Sequence, residues 1–302
     1  MDPIYGRIAS NKRRTFFLFL LYAILFGAIG YFVGIYMGEP ILGIILAAVV
    51  FIVLLLISIY GGQGVVTSMA GAKQVSKQQE PFLYNTVEGL SIAAGKPMPK
   101  VYVIETEVPN AFAAGRNPQN SIIAVTRGLM NRLNRQELEG VIAHEMAHIN
   151  NYDVLLATVA IVLAGTIVFI SVVARRMVFF GGMGRSRSSK GGQGQLIAIA
   201  VIIFLAILAP IFAQLLKFAI SRQREYLADA TAADFTGYPE GLASALEKIT
   251  NAQVKNSSIE NSALNGLYIV NPALGARSAN RASALFSTHP PAEERIKRLR
   301  AM

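Results

Sequence analysis

The chain has 302 residues, of which 53% are hydrophobic and only 15% are charged; about a quarter of the residues are charged in an ordinary soluble domain. It contains no cysteine, which excludes a disulfide framework and thiol chemistry. The formal net charge is +10, but the basic residues flank apolar runs or alternate with acids, and no aromatic-basic RNA signature occurs. We therefore expect no nucleic-acid partner, and we attribute the basic residues to anionic lipid headgroups.

Four apolar runs account for this composition. None contains a charged residue, and each is long enough to cross a hydrocarbon core of roughly 30 Å as a helix. They cover residues 16–37, 41–60, 154–174 and 196–216. The first run is too long for a signal-peptide core and follows a basic segment, so it is predicted to be a retained anchor with its amino terminus in the cytoplasm.

The polar block at 61–153 is predicted to begin with a helix and to continue as a small sheet. Apolar residues recur with helical spacing over 80–94, and a Gly-Lys-Pro segment at 95–97 ends that helix. Strands are predicted at 100–105, 110–113 and 121–125, with the turn-rich segment 115–120 between the last two. The edge of this sheet is a candidate for binding an extended peptide by main-chain hydrogen bonds, and an ordinary structural hairpin is the alternative.

The strongest signal is the motif His144-Glu145-Met146-Ala147-His148. Asn134 and Glu137 have the spacing of a capping box, which predicts that a helix begins there and continues through the motif. The two histidines then share one face, so both imidazoles can bind one zinc ion at about 2.0–2.1 Å. Glu145 is placed to take a proton from zinc-bound water rather than to bind the metal. The flanking residues are small and apolar, which argues against a chance pair of histidines on a surface helix.

The third apolar run begins at Val154, so the metal site must lie close to the membrane surface. The loop at 175–195 is rich in Gly and Ser and carries five basic residues without an acid. If both later runs cross the membrane, this loop lies on the outer side, which opposes the tendency of basic loops to stay in the cytoplasm. Whether this second hairpin spans the bilayer or is only embedded stays open. Either arrangement returns residue 221 to the side of the motif.

A zinc site with two histidines needs a third protein ligand and an open position. The candidates are Glu225, Asp229, Asp234 and His289. A helix is predicted over 221–234, on which Glu225 and Asp229 share a face while Asp234 does not. The longer Glu225 reaches a metal on a neighbouring helix more easily, and Asp229 suits the support of a histidine. His289, between a threonine and two prolines, would come from a loop and fits a group that acts on the transition state.

These features, taken in order, resemble the HtpX family of bacterial membrane zinc peptidases, which are relatives of the CAAX prenyl endopeptidases. The resemblance covers essentially the whole chain. It includes the four apolar runs, the motif at 144–148, the segment Ser221-Arg222-Gln223-Arg224-Glu225-Tyr226 with Asp229, and Thr288-His289-Pro290.

The resemblance implies one zinc per chain, bound by His144, His148 and Glu225, with Glu145 as catalytic base. It implies that Asp229 supports a histidine ligand, that His289 acts near the oxyanion, and that the substrate cleft is lined by Asn110, Ala111, Phe112 and Ala113. It also implies polypeptide substrates, in particular misfolded or damaged membrane proteins, and a bacterial inner-membrane location with the active site facing the cytoplasm.

We therefore predict a mainly α integral membrane protein with four transmembrane helices and a zincin-type α+β peptidase domain that contains a small β-sheet. Residues 1–60 and 154–220 would form two transmembrane hairpins, and 61–153 and 221–302 would form two parts of the peptidase domain. The alternative within the same class is a membrane zinc peptidase with one narrow processing substrate. A transporter or scaffold with a structural metal is the third reading, and it is disfavoured because the apolar runs contain no Asp, Glu, Lys, Arg or His and no cysteine is available as a ligand.

Overall fold

The computed structural model describes residues 3–163, 222–252 and 290–302. Its helices are α1 (Pro3–Met37), α2 (Pro40–Leu56), α3 (Gly62–Ala70), α4 (Pro81–Ala93), α5 (Arg127–Arg132), α6 (Arg135–Asn150), α7 (Asp153–Leu163), α8 (Arg222–Thr236), α9 (Pro239–Asn251) and α10 (Ala292–Leu299). A short π-helix, Ile57–Gly61, joins α2 to α3. The strands are β1 (Lys73–Gln74), β2 (Lys100–Ile104), β3 (Ala111–Asn117) and β4 (Asn120–Thr126).

Within the described residues, two helices are long and apolar enough to cross a membrane. They are Thr15–Phe32 within α1 and Pro40–Ala70, which comprises α2, the π-helix and α3, with mean hydropathies of 2.1 and 3.3. These helices correspond to the first two predicted runs. Of the third run, only residues 154–163 lie in the described part, and the fourth run and the loop at 175–195 lie outside it. Four transmembrane helices thus remain a prediction, of which two candidate spans are observed.

The first two spans pack closely because three glycines face one another. Gly30 and Gly34 on α1 lie against Gly43 on α2, and a Cβ added at Gly43 would approach the Gly30 carbonyl oxygen to 2.2 Å. Small residues four apart allow this approach between helices in lipid, where close packing rather than a hydrophobic driving force holds helices together.

The sheet has the strand order β1-β2-β4-β3, so β3 is an edge strand. β2 and β4 are parallel, and the other two pairs are antiparallel. The predicted turn at 115–120 is shorter than expected, because Gly115 still pairs with Ser121 in the β3–β4 hairpin. Gly115 does so with a φ of +151°, a conformation that disfavours a side chain. The residues that suggested a long turn therefore extend both strands.

The sheet separates two apolar layers. One face packs on α3 and α7 through Val66, Phe112, Ala124 and Ile161, toward the membrane spans. The other face packs on a larger core to which α4, α6, α8, α9 and α10 contribute. Residues from both polar blocks of the sequence thus share one core, and α6 lies inside it.

The chain turns sharply after α6. The axes of α6 and α7 differ by 89°, and Tyr152 in the connection has a φ of 59°, an uncommon value for a residue with a side chain. α7 then packs with α1 and α2 through Leu156, Val159 and Leu163. The bend places α6 in the larger core and α7 against the candidate spans, as the short distance from His148 to the third apolar run predicts.

Candidate active site

Helix α6 presents the histidine motif in a fixed register. Its start is set by a capping box, in which the Asn134 side chain accepts from the Glu137 backbone N–H at 2.9 Å and the Glu137 carboxylate accepts from the Asn134 N–H at 2.8 Å. The prediction for this helix start is confirmed. His144 and Glu145 are buried, and the ring centroids of His144 and His148 are 4.8 Å apart.

Helix α8 brings Glu225 to the two histidines. Glu225 Oε2 lies 3.6 Å from His144 Nε2, and Glu225 Oε1 lies 3.5 Å from His148 Nε2. One ligand atom from each of the three residues lies within 4.8 Å of the others. Tetrahedral bonds of about 2.0–2.1 Å would separate two ligand atoms by about 3.3 Å. The observed spacing therefore fits one zinc ion held by two imidazoles and one carboxylate.

Both imidazoles contact a carboxylate through their other nitrogen. His144 Nδ1 lies 3.0 Å from Asp229 Oδ1, and His148 Nδ1 lies 3.2 Å from Asp153 Oδ2. Such a carboxylate fixes the ring orientation and makes the metal-facing Nε2 more basic. Asp229 was predicted for this place, one turn after Glu225. Asp153, the first residue of α7, was missed.

A buried arginine completes the cluster and was also missed by the sequence analysis. Arg295 on α10 is only 1% exposed and donates from Nε and Nη2 to the two oxygens of Asp229, at 2.9 and 2.7 Å. Its Nη2 also lies 3.4 Å from both nitrogens of His144. Equal distances to both nitrogens place Nη2 over the imidazole face, because in the ring plane it would press against the carbon between them. Arg295 and His144 thus contact the same Asp229 oxygen, Oδ1, and Arg295 also holds the second oxygen, Oδ2.

The charges of the cluster perturb the pKa values of its members. Burial raises the pKa of Asp229, but the contacts with Arg295 and His144 lower it by a larger amount, so that the resulting pKa is about 2. Burial and Arg295 lower the pKa of His144, whereas contacts with Asp229 and Glu225 raise it, to about 9. Burial also lowers the pKa of His148, but Glu225 and Asp153 raise it above its ordinary value. The carboxylates therefore attract positive charge to this spot, which a metal cation can supply in place of protons.

The predicted peptide-binding segment lies on the edge strand beside α6. Asn110, Ala111, Phe112 and Ala113 are all buried, and the Asn110 side chain accepts from the Ala111 N–H at 2.9 Å. The Gly115 N–H donates to Thr158 and so points away from β4. Because N–H groups two residues apart on a strand point to the same side, the Ala113 N–H also points away from β4.

The remaining ligand candidates separate clearly. Asp234 is exposed at the far end of α8, as the helical geometry predicted. His289 lies outside the described residues. Asp153 follows His148 by only five residues, which could have marked it as a candidate partner of that histidine. Its contact with His148, however, depends on the bend of the chain at Tyr152. Arg295, in a helix with two other basic residues, carries no such local signal.

Comparison with known proteins agrees with this geometry. Residues 77–302 match the model of peptidase family M48. The "Protease HtpX homolog" of Dictyoglomus turgidum is 47% identical over 308 residues, which cover 99% of this chain and 94% of that protein. The protein of the same name from Streptococcus gordonii is 42% identical over 302 residues, with 99% and 100% of the two chains covered.

Among solved structures, the crystal structure of S. mikatae Ste24p aligns with a TM-score of 0.50 and 19% sequence identity. The alignment covers 98% of this chain and 67% of that chain, and it supports the fold alone. The family match and the identity to relatives over nearly the whole length show that the chain belongs to peptidase family M48 and is a membrane metalloprotease acting on polypeptides.

Proposed function

We propose that this chain is a zinc-dependent endopeptidase of the bacterial inner membrane that cleaves misfolded or damaged membrane proteins during stress. The observation that carries the proposal is the cluster of His144, His148 and Glu225, in which His144 and Glu225 are buried and His148 is half-buried. The adjoining helix α7 packs on the candidate spans. The resemblance to HtpX proteases supports the role in quality control. The basic segment before the first span supports an active site that faces the cytoplasm. The hairpins at 1–60 and 154–220 would anchor a peptidase domain formed by 61–153 and 221–302.

One zinc per chain would be held by His144, His148 and Glu225. When bound, zinc supplies Lewis-acid polarisation of water and of the scissile carbonyl. Asp229 and Asp153 orient the two imidazoles, so that both present Nε2 to the same point. Arg295 keeps the Asp229 carboxylate ionised and in place.

Glu145 acts as the general base. It lies on the same helical turn as the histidines, is 5% exposed, and is not a member of the ligand cluster. It takes a proton from the attacking water and delivers that proton to the leaving amine. The low exposure of Glu145 limits solvent access, which strengthens its interaction with charge that develops at the scissile bond.

The substrate would bind in extended form along β3. Outward N–H and C=O groups of an edge strand can pair with a peptide main chain, independent of the peptide's sequence. Such backbone recognition suits a protease that accepts many unfolded segments. His289, on the strength of the resemblance, would stabilise the developing oxyanion.

The substitution Glu145→Gln tests the mechanism. We expect the purified full chain in detergent to keep one zinc per chain, measured by elemental analysis, and to lose cleavage of an unfolded reporter protein by at least ~100-fold. Glu139→Gln is the matched control, since Glu139 lies on another face of the same helix. Undiminished cleavage by Glu145→Gln would remove Glu145 from the mechanism. Cleavage restricted to one lipidated or membrane-anchored peptide, with no activity on unfolded membrane proteins, would favour the narrow processing role.

A further inference from the structure

A small polar cavity lies where the second candidate span meets the sheet. Its volume is about 70 Å³, well above the roughly 10–15 Å³ that a single water occupies on this measure. Its walls come from the π-helix, the start of α3, the end of β3 and the middle of α7. The residues that matter for its chemistry are Ser58, Tyr60, Gln63, Gly115, Arg116 and Thr158.

The cavity contains buried donors without a hydrogen-bond partner in the described part of the chain. Ser58 is 1% exposed, and its Oγ has no hydrogen-bond partner among the described residues. The same holds for Gln63 Nε2, whose atom is also buried. Thr158 Oγ1 accepts from the Gly115 N–H at 2.8 Å and can offer its own hydroxyl hydrogen. Leaving buried donors unpaired is costly, so these groups indicate an acceptor that enters the cavity.

The charge of the cavity is positive. The Arg116 guanidinium lies 5.0 Å from the centre of the Tyr60 ring, and no carboxylate of the described residues is within ion-pairing distance of it. No acidic residue lines the cavity in the described part of the chain. An arginine together with hydroxyl and amide donors and without an acid is the donor set that a phosphate group prefers.

The cavity also lies at the depth of lipid headgroups. Ser58 follows Pro40, the first residue of α2, by 18 residues, which is about 27 Å of helical rise. That length nearly spans a hydrocarbon core of roughly 30 Å, so the π-helix reaches the interface on the peptidase side. Tyr60 is 70% exposed there, as expected for an aromatic residue at the membrane–water boundary. π-helical turns are frequent at functional sites, and here the turn places Ser58 on the cavity wall.

We propose that this cavity binds the phosphate of a phospholipid headgroup, with Arg116 as the charged partner and Ser58 and Gln63 as neutral donors. The acyl chains would lie along the exposed apolar surface of α2, which includes Val49, Ile52 and Val53. Because the Gly115 N–H is bound to the cavity wall at Thr158, the lipid would fasten the end of β3 to the membrane surface.

The test uses the delipidated full chain in nonionic detergent, titrated with dioleoylphosphatidylglycerol and observed by native mass spectrometry. We expect one tightly bound lipid per chain. Arg116→Gln should weaken its apparent affinity at least about tenfold, and Ser58→Ala about threefold to tenfold. Lys100→Gln is the matched control, because Lys100 is exposed on β2 and outside the cavity; it should leave the affinity unchanged.

Two competition experiments identify the chemical class of the ligand. Dioleoylglycerol, which lacks the phosphate, should not compete, and inorganic phosphate should compete only at much higher concentration than the lipid. Competition by inorganic phosphate at equal concentration would keep the phosphate site but assign it to a soluble ligand. Equal retention of the lipid by the parent chain and by Arg116→Gln would overturn the proposal. If Arg116→Gln does not fold, Arg116→Lys keeps the charge but loses the planar fork, and it should still weaken binding measurably.

Discussion

The buried pair of Arg295 and Asp229 gives the sharpest prediction for the site. Both side chains are at most 3% exposed, and two charge-assisted hydrogen bonds of 2.9 and 2.7 Å join them. Arg295→Met removes one partner and leaves the Asp229 carboxylate buried without its main counter-charge. Breaking such a pair costs about 3–5 kcal/mol of folding free energy. Replacing both partners by apolar residues costs much less, since no buried charge is then left.

We therefore expect Arg295→Met to be strongly destabilised, and the double variant Arg295→Met with Asp229→Leu to recover much of that loss. Zinc affinity should behave differently. The double variant has lost the group that orients His144, so its affinity should stay about 10–100-fold below that of the parent. If Asp229 had a purely structural role, the double variant would recover its zinc affinity together with its stability.

Stability is measured by thermal unfolding of the metal-free chain in detergent, since bound metal would itself stabilise the folded state. Zinc affinity is measured by competition with a chelator. Lys297→Met, an exposed change on the same helix, should alter neither. A double variant no more stable than Arg295→Met alone would refute the assignment of the cost to an unpaired Asp229.

Three further predictions concern the ligand set, the start of the metal helix and the first hairpin. Glu225→Ala should lose zinc outright, and His289→Ala should keep zinc but lower kcat, as metal analysis and cleavage assays will measure. Although burial alone raises the pKa of Glu137, hydrogen bonds from Lys248, Ser244 and the Asn134 backbone hold it below its ordinary value. The stabilisation from Glu137 is therefore fully present above the unfolded pKa of about 4.3 and is lost as the pH falls through the lower folded value. Glu137→Gln should consequently be less stable than the parent at neutral pH, with a difference that shrinks in acid unfolding titrations. Gly43→Ala should lower the apparent melting temperature, because its Cβ would meet backbone atoms of Gly30 and Gly34.

Each of these predictions has an outcome that contradicts it. Release of zinc by His289→Ala with retention by Glu225→Ala would indicate a three-histidine site. A stability difference for Glu137→Gln that is independent of pH would show that the ion pair with Lys248, 2.8 Å long, contributes little. For the hairpin, Gly27→Ala is the matched control, since nothing lies within 4 Å of a Cβ at that position. Equal effects of the two alanines would mean that close packing of the spans is not what Gly43 provides.

Local patterns in the sequence were sufficient for most elements and for half of the site. The spacing of His144 and His148, the capping box at Asn134 and the shared face of Glu225 and Asp229 each depend on the geometry of a single helix, which the sequence specifies. The strands were found from their composition, but the turn at 115–120 was drawn too long. The signal there came from Gly, Asn and Pro, and it does not reveal that Gly115 keeps its pairing in an unusual conformation.

By itself, the sequence determined that a metalloprotease motif lies on a helix and is followed closely by an apolar run, because each of these features is a pattern within one continuous segment. Only the tertiary structure decided what surrounds the motif. Arg295 contacts His144 across 151 residues of sequence, and Asp153 reaches His148 only because Tyr152 turns the chain through 89°. Contacts of that kind depend on how helices pack around a common core, and no periodicity within one segment records them.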